Sequence, residues 1–529
     1  MKVTFLGHAG LYVETTAGSI LCDPWFNPAY FASWFPFPSN EDLDADAIAA
    51  PDYLYISHLH HDHFDPAFLA ARVSRATTVL LPDFPLDELR RELTDLGFSR
   101  FQVLANGVTV DLDGLGLMAA TAAGPSDGPF GDSALAVDDG TARLLDQNDA
   151  RPRDLDAIRR FGPYDAHFLQ FSGAIWYPVV YDMPAEAKAE AGRQKRIRGM
   201  DRARLFAEEV GATSLFPCAG PPCFLDDGLF GHNDLDADEA NPFPDQTVFL
   251  DYLKQQGHTN AHLIVPGTVV TLADGECRVA QPAGSDDQLM APFRDKRAYL
   301  EAYQARQRPA IAAARSSWPG PGQVDIVGEL QRWWGPLLAQ GDRVCANVGA
   351  PVLLAVGDVA VVIDFPGRQV RAHAGEHCPY RFRVEPGVVE ACIRERSADW
   401  VNGLFLSLRF TAARDGQYNE HIYTFFKCLS EERLRYAESW AAADSAGAHP
   451  GAPAPIVRAH RPARDAEEWC LIDGWRVQGR CPHLQGDLSR FGSIEDDVLT
   501  CKLHGWQFDL PSGRCLTTGE PDAIKADRV

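Results

Sequence analysis

The 529-residue chain lacks the long apolar run that a membrane-spanning helix requires. No window reaches the ~18 uninterrupted apolar residues of such a helix, and the N-terminus has no basic segment followed by an apolar one, so no export signal is predicted. Excess basic charge is also missing, because the formal net charge is −24. Since nucleic acids and anionic membranes both favour Lys and Arg, we expect neither as a partner.

Cysteines are too sparse to suggest a disulfide framework. The 12 cysteines are spread over the whole chain, and several have the spacing of metal ligands. This distribution is typical of reduced thiols, so we expect a cytoplasmic protein.

The length predicts several domains, because single domains usually span about 100 to 200 residues. Short strands such as 263-LIV-265 alternate with helical runs such as 201-DRARLFAEEVG-211 in the first half, which is an α/β pattern. The segment 444-DSAGAHPGAPAP-455 has no hydrophobic periodicity and is predicted to be a linker. The predicted boundaries are 1–275 for an α/β domain, 276–330 for a helical connector, 331–443 for an α+β domain, 444–455 for the linker and 456–529 for a C-terminal domain.

The most specific motif lies near the C-terminus, in 481-CPHLQGDL-488 and 501-CKLHGWQFDLPSGRC-515. Two thiolates and two imidazoles can hold a [2Fe–2S] cluster, with both thiolates on one iron and both imidazoles on the other. A structural zinc site is the alternative, but zinc fingers place their Cys together and their His together, whereas here each Cys is followed by a His. The motif resembles the Rieske ferredoxin family, which implies a small all-β domain with Cys481, His483, Cys501 and His504 as cluster ligands. Lys502 stands where that family often has Pro.

A second metal-binding motif follows an early strand, in 56-ISHLHHDHFD-65. Alternation along an extended segment directs His58 and His60 to one side, and the following turn brings Asp62 and His63 to a neighbouring point, so two metal pockets are expected. The spacing H-x-H-x-D-H resembles the metallo-β-lactamase superfamily, which implies an αββα sandwich. In that comparison 20-ILCDPW-25 supplies an Asp that supports the loop, whereas His61 and Asp65 are expected in structural roles.

Two histidines expected of a dinuclear hydrolase in that superfamily are missing. An Asp bridging both metals is available, because Asp149 follows an apolar strand. No His lies between His63 and His167, and 214-SLFPCAGPPCFLDDGLF-230 contains none either.

The remaining set of His58, His60 and Asp149 has the composition of a mononuclear non-haem Fe(II) site with open positions. Asp62, His63 and Asp149 form the alternative set, and His167 or His232 could be a further ligand. An oxygen-activating iron needs electrons delivered one at a time, which the C-terminal cluster could supply. A zinc hydrolase with a regulatory cluster, and a non-catalytic electron-transfer or sensor module, are the rival hypotheses.

Both motifs together resemble the cytidine monophosphate N-acetylneuraminic acid hydroxylase family. The likeness extends to 168-FLQFSGAIWYPV-179, 216-FPCAGP-221 and 404-LFLSLRF-410. It implies a monooxygenase that uses dioxygen and a ferredoxin, cytochrome b5-like or flavin reductase donor to oxidise a small polar substrate. In that family the Rieske domain is N-terminal, whereas here it is C-terminal, which leaves the substrate open between an N-acyl sugar and an amine.

Two other segments have predicted roles outside these motifs. The α+β domain resembles the sterol-carrier-type fold, which implies a wall of the site or a dimer surface, and its Trp333-Trp334 pair is expected in the core. The run Arg193, Lys195, Arg196 and Arg198 is predicted to be a solvated helix face, with contact to an anionic substrate or a reductase as the alternative.

Overall fold

The computed structural model describes residues 1–124, 129–173, 175–234, 240–319, 322, 324–445, 469–518 and 524–529. The predicted linker falls largely outside these residues. None of the described helices combines the length and hydropathy needed to cross a membrane. The predicted fold class is confirmed: a metallo-β-lactamase αββα sandwich, an SCP2-like α+β domain and a small all-β Rieske domain follow one another along the chain.

The described part of the first domain contains two β-sheets and five flanking α-helices. Its strands are β1 (Lys2–Gly7), β2 (Gly10–Thr15), β3 (Gly18–Cys22), β4 (Tyr53–Tyr55), β5 (Thr78–Pro82), β6 (Phe101–Leu104), β7 (Val110–Leu112), β8 (Leu115–Ala122), β9 (Asp132–Asp138), β10 (Arg143–Asn148), β11 (Ala166–Gln170), β12 (Ser214–Cys218), β13 (Val269–Ala273) and β14 (Glu276–Ala280). Its helices are α1 (Pro66–Arg72), α2 (Glu88–Asp95), α3 (Asp156–Phe161), α4 (Ala185–Val210) and α5 (Gln246–Gln255).

The two sheets face each other across one hydrophobic core. Their strand orders are β14-β13-β1-β2-β3-β4-β5-β6 and β12-β11-β10-β9-β8-β7. Alternate residues such as Val3 of β1 pack against Leu117 of β8 and Phe168 of β11, because successive side chains of a strand point to opposite faces. Helices α1 and α2 cover the first sheet, and α3, α4 and α5 cover the second. This arrangement places the strand ends of both sheets beside the candidate site.

One sequence prediction within this domain was wrong, and another was confirmed in place but too short. Residues 263–265 were predicted to form a strand but have irregular structure, and the observed strand lies a few residues later, at Val269–Ala273. The helix predicted at residues 201–211 begins sixteen residues earlier, at Ala185, and ends before Gly211, which adopts a left-handed conformation with φ 65°. The basic run predicted to be a solvated face therefore lies in the middle of a long helix.

The middle domain packs helices against a mixed sheet. The elements leading into it and within it are α6 (Asp286–Arg294), α7 (Lys296–Ser317), α8 (Ile326–Gln340), α9 (Asp342–Val348), β15 (Pro351–Val356), β16 (Val359–Asp364), β17 (Gln369–Ala372), β18 (Tyr380–Val384), α10 (Pro386–Glu395), β19 (Phe410–Arg414), α11 (Glu420–Lys427) and α12 (Glu431–Ser445). The sheet order is β17-β16-β15-β18-β19. Trp334 is fully buried and Trp333 packs at the edge of the same cluster, as predicted.

In the residues that the structure describes, the Rieske domain has two three-stranded sheets and one helical turn. Its elements are β20 (Trp469–Ile472), β21 (Trp475–Gln478), α13 (Leu488–Phe491), β22 (Gly492–Glu495), β23 (Val498–Cys501), β24 (Trp506–Asp509) and β25 (Ala526–Arg528). The sheet orders are β20-β21-β25 and β22-β23-β24. Its core is continuous with that of the first domain, where Phe491 packs against Phe206 of α4 at 5.3 Å between ring centroids.

Candidate metal centres

The loop between β4 and α1 is fixed at both ends, which positions its histidines. Asp65 accepts a hydrogen bond from the backbone N–H of Phe68 and so caps α1, and it also accepts from the N–H groups of Phe26 and Asn27. At the other end Asp23 accepts from the backbone N–H of Ser57 at 2.8 Å. Asp65 therefore has a structural role, as expected from the sequence.

The structure brings together the predicted set of His58, His60 and Asp149, here called site A. Their ligand atoms lie within 4.8 Å of one another. The Nε2 atom of His58 is 2.7 Å from Nδ1 of His60 and 3.8 Å from Oδ1 of Asp149. That carboxylate oxygen is buried without a hydrogen-bond partner. Two imidazole nitrogens and an unpartnered carboxylate oxygen suit a divalent transition metal.

A second group, here called site B, consists of His8, Asp62 and His63. The Nε2 atom of His8 is 2.9 Å from Oδ2 of Asp62, and Nε2 of His63 is 3.9 Å from the same oxygen. Both rings are buried, and Nε2 of His63 has no hydrogen-bond partner. Oδ1 of Asp149 is 3.5 Å from Nε2 of His63, so Asp149 lies between the two sites. The alternative set of Asp62, His63 and Asp149 is thus also brought together, and the arrangement could hold two metal ions.

Sequence reasoning missed His8. This residue follows β1 in 5-FLGHAG-10 and lies fifty residues before the His-rich loop. Its left-handed backbone, with φ 51°, turns the ring into the site. A His directly after a buried N-terminal strand was the available signal, but only the pairing of β1 with its neighbours in the sheet brings it to Asp62.

Neighbouring side chains orient the ligands of both sites. In site B, Nδ1 of His63 donates to Oδ2 of Asp23 at 2.8 Å, and the Tyr30 hydroxyl donates to Asp62 at 2.6 Å. In site A, Nε2 of His60 donates to Oδ1 of Asn402 at 2.9 Å, which leaves Nδ1 free to bind a metal. Asn402 belongs to the middle domain.

Burial and charge have opposite effects on two of the imidazoles. Burial, reinforced by His63 and His60, holds the pKa of His58 well below its usual range. Burial also disfavours the charged form of His63, but Asp149, Asp23 and Asp62 outweigh it and hold the pKa of that ring well above its usual range. A neutral His58 can bind a metal without losing a proton. At His63 the nearby carboxylates stabilise a proton on the ring, and they would stabilise a bound metal cation in the same way.

The two other histidines considered from the sequence lie outside both sites. His167 is fully buried in β11, where its Nε2 donates to Oε1 of Gln147 at 2.8 Å and burial lowers its pKa to about 3. His232 packs edge-on against Phe224. His61 stacks on Tyr30 instead of facing the ligands. At the position of the missing third-motif His, Oδ1 of Asp132 is 3.4 Å from Nδ1 of His58.

The four predicted Rieske ligands converge in the C-terminal domain. The thiols of Cys481 and Cys501 are buried within hydrogen-bond distance of each other, and the rings of His483 and His504 are 5.2 Å apart. Nδ1 of His483 is buried without a partner. The two thiols, the two imidazoles and the unpartnered ring nitrogen of His483 suit a [2Fe–2S] cluster.

Both other domains contact the Rieske domain close to these ligands. Nε2 of His483 lies 3.3 Å from a carboxylate oxygen of Glu420 in the middle domain. Lys502, which replaces the Pro common in the family, forms an ion pair with Asp201 of α4 at 2.8 Å. Burial and then His483 lower the pKa of His504, and Arg151 of the first domain adds to that effect. Arg151 is two residues beyond Asp149 of site A. One short segment therefore carries a ligand of site A and a cation that acts on a Rieske histidine.

Comparisons with known families agree with the three domains. A beta-lactamase superfamily domain matches residues 2–129, an Rv3818-like, SCP2-like domain matches 326–443, and a Rieske [2Fe-2S] domain matches 475–526. Their order along the chain is that of the three folded units described above.

One relative is similar over almost its full length. A Rieske 2Fe-2S iron-sulfur protein, Rv3818, of Mycobacterium tuberculosis is 47% identical over 524 residues, which are 98% of each chain. A UPF0173 metal-dependent hydrolase of Paracoccus denitrificans is 32% identical over 117 residues, 22% of this chain and 44% of the hydrolase. The solved structure of CmlA, a diiron beta-hydroxylase from Streptomyces venezuelae, covers 53% of this chain and 54% of its own at 15% identity and a TM-score of 0.31.

Proposed function

Because the chain belongs to the family of Rieske 2Fe-2S iron-sulfur proteins that includes Rv3818, we propose that it is a Rieske-dependent non-haem iron monooxygenase. In this proposal it uses dioxygen and externally supplied electrons to oxidise a small polar substrate. A bound [2Fe–2S] cluster would supply electrons singly, and iron in site A would supply the oxygen chemistry.

The observation that carries this proposal is the composition of site A beside a complete Rieske ligand set. His58, His60 and Asp149 provide two imidazoles and one carboxylate, the set that leaves positions open on iron for dioxygen and substrate. A zinc hydrolase has no use for a one-electron donor, whereas an oxygenase requires one. Both ligand sets also lie within one packed chain, because Rieske residues share a core with α4 and α5.

The residues around the ligands support a fixed geometry at both centres. Asn402 holds one ring nitrogen of His60, and Glu420 lies at the outer nitrogen of His483. Hydrogen bonds of this kind fix the orientation and tautomer of a metal-binding imidazole. Site B would hold a second metal ion or keep Asp149 in place through His63.

For the substrate we propose an N-acyl sugar or an amine, oxidised at carbon or nitrogen respectively. The resemblance to the cytidine monophosphate N-acetylneuraminic acid hydroxylase family supports the first, and the C-terminal position of the Rieske domain leaves the second open. A ferredoxin, a cytochrome b5-like protein or a flavin reductase would donate the electrons.

A specific observation also favours a second candidate, a metal-dependent hydrolase with a regulatory Rieske domain. Oδ1 of Asp149 lies between His58 and His63, as a carboxylate bridging two zinc ions would. The partial likeness to UPF0173 metal-dependent hydrolases points in the same direction.

The two candidates differ in metal content and in their need for oxygen. Protein reconstituted anaerobically with Fe(II) should hold the two irons of the cluster and at least one more, and should consume dioxygen with reductant and candidate N-acetylated or free-amine substrates. Cys501→Ser should abolish both the Rieske electron paramagnetic resonance signal and oxygen uptake. Cys515→Ser, a buried thiol of the same domain outside the ligand set, serves as the matched control. Two bound zinc ions with turnover under nitrogen would establish the hydrolase instead.

A further inference from the structure

Five basic side chains from two domains meet beside the Rieske ligands, and we call them the cation cluster. All five are half-buried. Three lie on α4, one follows β10 and one ends β19 of the middle domain. The cation cluster consists of Arg151, Lys195, Arg198, Arg202 and Arg414.

Direct contacts place these side chains around one region. Nζ of Lys195 lies 5.7 Å from the centre of the Tyr177 ring, and the guanidinium of Arg414 lies 5.5 Å from the same ring. Arg414 also lies 5.7 Å from the ring of Tyr418. One aromatic ring is therefore shared by cations of two different domains.

The cation cluster has no carboxylate partner within the part of the chain that the structure describes. On the same helix, Arg193 pairs with Glu190, and Arg204 pairs with both Asp201 and Glu208. Acidic residues exceed basic ones by 24 in this protein, so carboxylates are abundant. Half-buried like charges repel one another more strongly than charges in water. A protein that leaves five of them together without counter-charge is prepared for an anionic ligand.

Burial and mutual repulsion lower the pKa values of two members of the cation cluster. Burial, together with Arg198, Arg202, Arg151 and Arg414, lowers the pKa of Lys195 to about 8. Burial and then Arg151 hold the pKa of Arg202 well below its usual range. Both shifts show that these cations face one another, and a bound anion would reverse them.

The position of the cation cluster relates it to both candidate centres. Nη1 of Arg198 lies 3.8 Å from the point where a Cβ on Gly505, the neighbour of His504, would stand. Arg151 follows Asp149, a ligand of site A, by two residues. Members of the cation cluster therefore border the Rieske ligands and the segment that carries a ligand of site A.

We propose that the cation cluster binds an anionic group of the substrate, a phosphate or a carboxylate, and holds it between the two centres. This inference rests on the proposed function and adds to it the class of substrate. Guanidinium groups suit both anions, because they present parallel N–H donors to two oxygens at once. Tyr177 contacts both Lys195 and Arg414, the two cations that come from different domains.

Calorimetric titration of the reduced holoenzyme under nitrogen tests this site without turnover. Inorganic phosphate is the probe in one arm and succinate in the other, at low ionic strength. We expect the wild type to bind at least one of them, with an affinity that falls as NaCl is added. Binding of phosphate alone would indicate a phosphorylated substrate, and binding of succinate alone would indicate a carboxylate; either result supports the proposal.

Lys195→Gln and Arg202→Gln should each weaken this binding roughly tenfold or more, because each removes a charge-assisted hydrogen bond. Arg193→Gln, which neutralises a paired cation on the same helix, should bind as the wild type does. In anion-free buffer both cluster variants should melt at or above the temperature of the wild type, since repulsion is relieved. A lower melting temperature would mark a structural role and overturn the proposal.

The proposal also fails if the wild type binds neither anion saturably, or if both cluster variants bind as tightly as the wild type. These outcomes are separate from those of the proposed function. Zinc in place of iron with intact anion binding would refute the oxygenase alone. Correct iron content and a normal Rieske signal without anion binding would refute this site alone.

Discussion

Substitution of Asn402 by Ala should weaken metal binding at site A although this residue touches no metal. Its Oδ1 accepts the Nε2–H of His60 at 2.9 Å, and its Nδ2 donates to Asp399 at 2.8 Å. The hydrogen bond keeps the proton of His60 on Nε2, so that Nδ1 faces Nε2 of His58 across the site. The substitution would remove the acceptor and leave the ring free to rotate or change tautomer.

The expected loss follows from what such contacts contribute elsewhere. Removing a group that orients a metal-binding His typically costs 10- to 100-fold in metal affinity, which corresponds to about 1.4 to 2.7 kcal/mol. His60 is only 8% exposed, so water would replace the lost acceptor poorly. Site B should keep its affinity, because the hydrogen bond that the substitution removes is made to a ligand of site A.

Competition between the protein and a chelator for Fe(II), followed under nitrogen, measures both sites in one titration. We expect Asn402→Ala to weaken one binding step and leave the other, together with the Rieske electron paramagnetic resonance spectrum, unchanged. Asn347→Ala removes an exposed amide of the same domain and is the matched control. Less than about a twofold change for Asn402→Ala would refute the reasoning.

Three further substitutions test other parts of the structure. Asp23→Ala removes the acceptor for Nδ1 of His63 and should weaken metal binding at site B in the same titration by roughly 10- to 100-fold. Arg433→Met leaves the largely buried carboxylates of Glu88 and Asp399 without their cation. It should lower the free energy of unfolding, measured with denaturant, by about 3 to 5 kcal/mol. Arg91→Met removes an exposed ion pair and should lower it by less than about 1 kcal/mol. His167→Gln should flatten the pH dependence of stability. Burial lowers the pKa of this ring to about 3 in the folded protein. Below pH ~6.5 the unfolded chain therefore binds a proton at this residue that the folded chain does not. The free energy of unfolding is at its full value above that pH and falls below it. At pH 5 the wild type should have lost about 2 kcal/mol relative to the variant, and equal pH slopes would contradict this.

Sequence reasoning succeeded where the chemistry is contained in short segments. His58 and His60 are two residues apart, and the order Cys-His, Cys-His excludes a zinc finger without any knowledge of the fold. Asp149 lies beside these histidines, because a residue that follows a buried strand meets the loops at the same edge of the sheet. These are local signals, each set by a few consecutive residues.

Contacts between distant segments could not be predicted in the same way. His8 reaches site B only through the order of strands in the first sheet, and Asn402 reaches site A only through domain packing. The basic run was misjudged for a related reason. Its members look solvated on a helical wheel, but Lys195 and Arg198 turn towards the Rieske and middle domains, whereas Arg193 keeps a carboxylate partner.

The middle domain, expected from the sequence to be a wall or a dimer surface, contacts both candidate centres. Asn402 and Glu420 lie eighteen residues apart. Asn402 accepts a hydrogen bond from His60 of the first domain, and Glu420 faces His483 of the Rieske domain. Asp399, which holds the amide of Asn402, is itself fixed by Arg433, and that arginine also pairs with Glu88 of the first domain. A shift of this segment would therefore disturb both imidazoles at once. It follows that each centre takes a positioning contact from the middle domain, which gives a physical reason for carrying all three domains in one chain.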